Sequence, residues 1–212
     1  MKWTFGLRRR ALGDPVSEGR RVWAWIEALK AMHPAMALWR PTGESREAAQ
    51  QAPPMTQPML LDAITTAQTH SEFPYFSCTP CFYGRLDQGG KLMISFGKPN
   101  SGDAGIILMI GEELGAAIDA SEDLADALVY TTTHFAPATI GSLSRKGHPR
   151  RNLNRDGPAP HNYRDGWKMF FTTDSPNTPR AAQLATRTQP TTNGTIYTFG
   201  TPDTYPTILN QW

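Results

Sequence analysis

The sequence is poor in the features that announce a compartment or a chemistry. Two cysteines in 212 residues, Cys78 and Cys81, are too few for a disulfide-stapled scaffold. No apolar run approaches the ~20 residues of a membrane helix, and Ile106 to Ile110, bounded by glycines, is far too short. At the N-terminus the charge of Arg8-Arg9-Arg10 follows a short apolar piece, and no stretch of ~7–15 apolar residues comes after it. The sequence therefore predicts a cytoplasmic protein with no membrane partner. Motifs are scarce as well. There is no Gly-x-Ser-x-Gly elbow, no Gly-Lys-Ser/Thr phosphate loop and no Gly-x-Gly-x-x-Gly fingerprint. Gly97-Lys98-Pro99 looks like a fragment of a phosphate loop, but Pro99 lacks the N–H donor such a loop needs. The 5 histidines (33, 70, 134, 148 and 161) form no His-x-x-x-His or His-Glu-x-x-His pair. No catalytic residue, metal or cofactor is expected, and the chain reads as a non-enzyme.

Net charge is also nearly absent, at +2, but the total hides unlike parts. Residues 1–40 hold 8 basic and 3 acidic side chains, 41–144 hold 4 and 12, and 145–212 hold 9 and 4, giving +5, −8 and +5. Between Lys98 and Arg145 there is no Lys or Arg, while Glu112, Glu113, Asp119, Glu122 and Asp123 cluster at a strand-to-helix junction. A run of like charge is commonly a solvated face. It also steers a basic partner and sets its register. These five acids are the candidate partner-binding residues.

Periodicity predicts an α+β chain, mainly an antiparallel sheet packed against two or three helices in one domain over 1–212. Residues 2–8 read as a strand. Asp14-Pro15 opens a helix whose face is Val22, Ile26, Leu29, Met32 and Met36, broken near Pro34. Residues 44–51 are helix-friendly, and 59–68 form a second helix. Residues 73–97 read as a hairpin around Asp87-Gln88-Gly89-Gly90, and 105–111 as a buried strand. Ser121 caps a helix with Leu124, Leu128, Thr132 and Phe135 on its buried side. Strands follow at 138–143, 167–173 and 195–199, the last after a type I′ turn at Asn193-Gly194. Residues 145–166, nearly devoid of apolar side chains, read as a basic flexible loop or insertion.

Two further features admit sharper readings. Cys78-Thr79-Pro80-Cys81 has the spacing of a redox dithiol, but it sits in a hairpin rather than at a helix N-terminus, so buried thiols are the simpler account. Arg145, Lys146, Arg150, Arg151, Arg155 and Arg164 would suit phosphates, yet Tyr163 and Trp167 alone stand by for stacking, and the balance is against direct nucleic-acid binding. A thiol oxidoreductase using Cys78/Cys81 and a nucleic-acid-binding accessory protein using 145–164 remain the alternative functions.

Trp23 and Trp25 in the first helix, then His33-Pro34-Ala35, Trp39 and Gly43-Glu44-Ser45-Arg46-Glu47-Ala48, are followed by a second helix, a hairpin, a Gly-rich turn and an apolar strand. Over about residues 1–140 this arrangement resembles the immunity protein 52 family of bacterial polymorphic toxin systems, with Gly166-Trp167-Lys168-Met169 similar to a later strand. The resemblance implies a small cytoplasmic α+β protein, not an enzyme, in a type VI secretion-associated system. It would bind a cognate toxin, typically a nuclease effector of restriction-endonuclease-like fold, and occlude its active site. No contact residue is carried over, because the family's motifs do not set them. The slightly basic total departs from the acidic character common in nuclease inhibitors, and the acidic middle segment would have to meet that need locally.

Overall fold

Trp3, Phe5 and Leu7 alternate with Thr4, Gly6 and Arg8, the period-two pattern of a strand with one face in a core. In the computed structural model they are buried in strand β1 (Trp3–Arg9). The structure describes residues 3–9, 15–36, 56–66, 81–85, 90–95, 104–135, 138–145 and 166–212. Seven more strands follow: β2 (Cys81–Arg85), β3 (Lys91–Ser95), β4 (Ala104–Ile110), β5 (Ala138–Arg145), β6 (Lys168–Thr172), β7 (Arg187–Thr191) and β8 (Gly194–Thr198). All join one sheet in the order β2-β3-β4-β1-β5-β6-β8-β7, and every pair is antiparallel. The helices are α1 (Pro15–Met32), α2 (Gln57–Thr66), α3 (Glu112–Ala120), α4 (Glu122–Phe135), α5 (Thr178–Leu184) and α6 (Tyr205–Leu209), with a 3-10 turn at Pro34–Met36. The α+β class is as expected, with an antiparallel sheet and several short helices beyond the predicted ones.

One register row explains how the sheet positions the functional region. Leu92, Leu108, Phe5, Leu143, Lys168, Thr198 and Arg187 lie opposite one another in turn across seven strands. Residues directly opposite share a face. The row is apolar from β3 to β5 and becomes polar from β6 to β7, all on the side that meets α4.

α1 contributes Val22, Trp25, Ile26 and Leu29 to the core, and Met36 joins them from the 3-10 turn that Pro34 starts. Trp25 Nε1 donates to Thr132 Oγ1 of α4 at 3.1 Å. Ser121 caps α4 as predicted, its Oγ accepting from the Leu124 N–H at 3.2 Å. The buried side of α4 is Ala125, Leu128, Val129, Thr132 and Thr133, whereas Leu124 is only partly buried. Leu128 and Thr132 are buried as predicted, and Ala125, Val129 and Thr133 widen that face. Threonines occupy core positions because their hydroxyls donate back to Leu128 and Val129 carbonyls, each at 2.8 Å, so no donor is stranded.

Residues 169–171 are apolar without alternation because β6 is covered on both faces. Phe170 points to the helical side, opposite Gly141 and Ile196. Met169 and Phe171 point the other way, where Phe171 meets Tyr197 at 5.9 Å and Trp212 at 6.1 Å between ring centroids. Phe199 and Trp212, 6.0 Å apart, complete this second apolar layer with Tyr205 and Leu209 of α6.

The Asn193-Gly194 turn needs correction. Thr191 pairs with Gly194, so the hairpin loop is Thr192-Asn193 and Gly194 begins β8. Among the described glycines only Gly200 has a left-handed φ, of 64°. Gly194 serves close approach instead: a Cβ there would lie 2.1 Å from the Phe171 carbonyl oxygen and 2.9 Å from the Phe170 ring. The predicted helical patch at 44–51, residues 73–80 with Cys78, and residues 146–165 lie outside the described residues. Gly194→Ala is expected to destabilise the fold by about 1–3 kcal/mol or more, as overpacking does. The midpoint of chemical denaturation, read by tryptophan fluorescence, measures this, and an unchanged midpoint would contradict the close approach.

Candidate functional site

Lys168 is the first residue of the otherwise apolar strand β6 and its side chain is 0% exposed. A buried ammonium is tolerable only with counter-charges and hydrogen bonds. They come from the first turns of α4, where Glu122 and Asp126 stand at i and i+4. Lys168 Nζ lies 2.6 Å from Asp126 Oδ1 and 3.1 Å from Glu122 Oε1. It also donates to Thr198 Oγ1 at 3.2 Å and sits 4.4 Å from the Trp167 ring centroid, within cation–π range.

Arg187, at the start of the edge strand β7, closes the group. Its Nη2 is 2.7 Å from Glu122 Oε1 and also bonds Asp126 Oδ2. Arg187 is held above the usual arginine pKa, first by the hydrogen bond to Asp126, then by the charges of Asp126 and Glu122, while partial burial opposes the shift. A raised pKa stabilises the fold fully below the ordinary arginine value. That contribution disappears only as pH rises through the raised one. Arg187 therefore adds no pH dependence in the neutral range.

Asp119, at the end of α3, anchors the neighbouring corner. It accepts from Trp3 Nε1 at 3.2 Å and lies 3.5 Å from Arg145 Nη2. Arg145 also bonds Asp203, and its backbone N–H donates to the Tyr205 hydroxyl at 3.1 Å. Trp3 and Trp167 are 5.5 Å apart, and Trp167 Nε1 donates to the Gly200 carbonyl at 3.0 Å.

The five sequence-predicted acids thus fall into two sets. Asp119 and Glu122 are joined to Arg145, Lys168 and Arg187 within the chain. Glu112, Glu113 and Asp123 are exposed on the outer sides of α3 and α4. Sequence reasoning missed Asp126, Lys168 and Arg187 as a unit. The one available signal was a lysine within the strand Trp167–Thr173, a position that calls for a buried counter-charge. Arg145, assigned to the basic loop, belongs to β5 and is already paired. Cys81 opens a strand rather than a helix. Among the described residues no helix is long and apolar enough to cross a membrane, and no group of three or more His, Cys, Asp or Glu side chains is placed to hold a metal.

No family model matches the chain. No curated protein matches it either. Among solved structures it is similar to Pseudomonas aeruginosa T6SS protein PA0821, with a TM-score of 0.54 and 12% identity over 99% of this chain and 74% of that one. At that identity the likeness is one of fold.

Asp126→Ala leaves the buried Lys168 short of its nearest counter-charge and is expected to cost about 3 kcal/mol. Glu122→Gln, at a half-exposed position, should cost about 1 kcal/mol or less. Urea denaturation of both variants tests the ranking, and equal losses would show that Asp126 is not the principal partner.

Proposed function

We propose that this chain is an immunity protein of a type VI secretion-associated system, which binds a cognate antibacterial toxin and occludes its active site in the cytoplasm. The observation that carries this reading is the fold, shared over 99% of the chain with a T6SS protein. The resemblance of residues 1–140 to immunity protein 52 points the same way, while no family model matches the chain. The toxin is proposed to be a restriction-endonuclease-like nuclease. Such an enzyme presents a basic, phosphate-binding cleft, and an inhibitor blocks it by covering that cleft with carboxylates that substrate cannot displace. Glu112, Glu113 and Asp123 provide exposed carboxylates of this kind.

Inhibition by occlusion is stoichiometric and needs no catalytic residue or cofactor. Opposite charge speeds encounter, and well-packed central contacts slow release. The test is coexpression with the product of the adjacent gene. Cells should survive an otherwise lethal toxin, and the two proteins should copurify at a fixed ratio. Absence of both protection and copurification would overturn the assignment.

A further inference from the structure

We infer that Pro190 guards the free edge of the sheet: it keeps β7 from pairing with the β7 of a second copy of this chain. The inference stands apart from the immunity reading. β7 is the last strand of the sheet, and β8 is its one neighbour among the described strands. Arg187, Thr188 and Pro190 are exposed, and Gln189 and Thr191 are half-buried. An edge of this kind presents unpaired N–H and C=O groups and is a template for another strand.

The direction of each backbone group in β7 follows from its neighbours. The Phe199 N–H donates to the Trp167 carbonyl at 2.9 Å, so residue 199 and, at steps of two, residues 197 and 195 turn their backbone groups toward β6. Residues 198, 196 and 194 then face β7, where they lie opposite Arg187, Gln189 and Thr191. Those three residues bond inward. Thr188 and Pro190 are the residues of β7 whose backbone groups point out of the sheet. Thr186 adds no outward donor, because its N–H bonds the Thr198 carbonyl at 2.8 Å. Proline thus stands where its missing N–H costs the sheet no bond, the placement in which strands tolerate it. It also favours the extended conformation of Gln189 before it.

The other residues of β7 suit a sheet. Arg187 is its charged residue, and Glu122 and Asp126 already hold that charge, so it does not repel a second strand. Thr188 and Thr191 are β-branched. Two copies related by a two-fold axis at Gln189 would set Thr188 of each copy opposite position 190 of the other, in hydrogen-bonded pairs. Such a pair needs an N–H from both residues. With proline at 190, Thr188 is the outward donor of β7, so half of the bonds between the copies are missing. The Thr188 carbonyl of each copy would then be buried without a donor, and an orphaned acceptor opposes the pairing.

The experiment measures molar mass by light scattering over a concentration series of the full chain. Pro190→Val supplies the missing N–H on a β-branched residue and should reach twice the wild-type molar mass as concentration rises. Hydrogen exchange of the amide at position 190 should slow about tenfold or more between the dilute and the concentrated sample. Pro190→Val combined with Thr188→Pro returns a proline to the other outward position and should restore the wild-type mass. Melting temperatures should stay near wild type, since neither position donates to the ladder with β8. If Pro190→Val does not fold, Pro190→Ala supplies the same N–H and takes its place in the comparison. Wild-type mass for the folded single variant at every concentration would overturn the guard. Self-association that the double variant retains would place the contact away from the β7 edge and overturn it as well.

Discussion

The burial of Lys168 is the constraint on which the rest of this arrangement depends. Its strand must be apolar on both faces, because helices cover one side and the C-terminal aromatic layer covers the other. An ammonium inside such a strand needs counter-charge at contact distance, which Asp126 and Glu122 supply. α4 meets the demand only by placing its first turns, with Glu122 and Asp126, over the start of β6. The electrostatic requirement thus helps fix the seat of the helix as well as the place of one side chain. Arg187 then ties the edge strand β7 to the same carboxylates, so the far margin of the sheet is held by charge where the apolar row ends.

The division of charge along the chain takes on a different meaning in space. The acidic middle and the basic last third are not separate patches, since Arg145, Lys168 and Arg187 return to Asp119, Glu122 and Asp126. Pairing selects among the acids, leaving Glu112, Glu113 and Asp123 exposed and outside the ion pairs of the described residues. Exposed carboxylates and a set of internal ion pairs come from the same short run of sequence. Which role each carboxylate has depends on which side of its helix it occupies.

Legibility followed the reach of each signal. The period-two pattern at Trp3, Phe5 and Leu7, the cap at Ser121 and the break at Pro34 were all readable, because each reports local backbone geometry. The helix at Thr178–Leu184 and the edge strand at Arg187–Thr191 were not. Their segment is rich in Thr and Pro and carries no apolar stripe, and its order comes from neighbours such as β8. Gly194 was misread for a related reason: Asn-Gly is a strong hairpin signal, but here the glycine serves the close approach of the Phe171 backbone, a contact made across strands.

The sequence by itself determined the α+β class, most strand and helix positions, and the concentration of acids around 112–126, since composition and periodicity are local quantities. Only the tertiary structure decided which of those acids are spent within the chain. Residues 119–126 meet residues 145, 168 and 187 through strand pairing and helix packing. Coulombic pairing at a few ångströms depends on that proximity and not on separation along the chain.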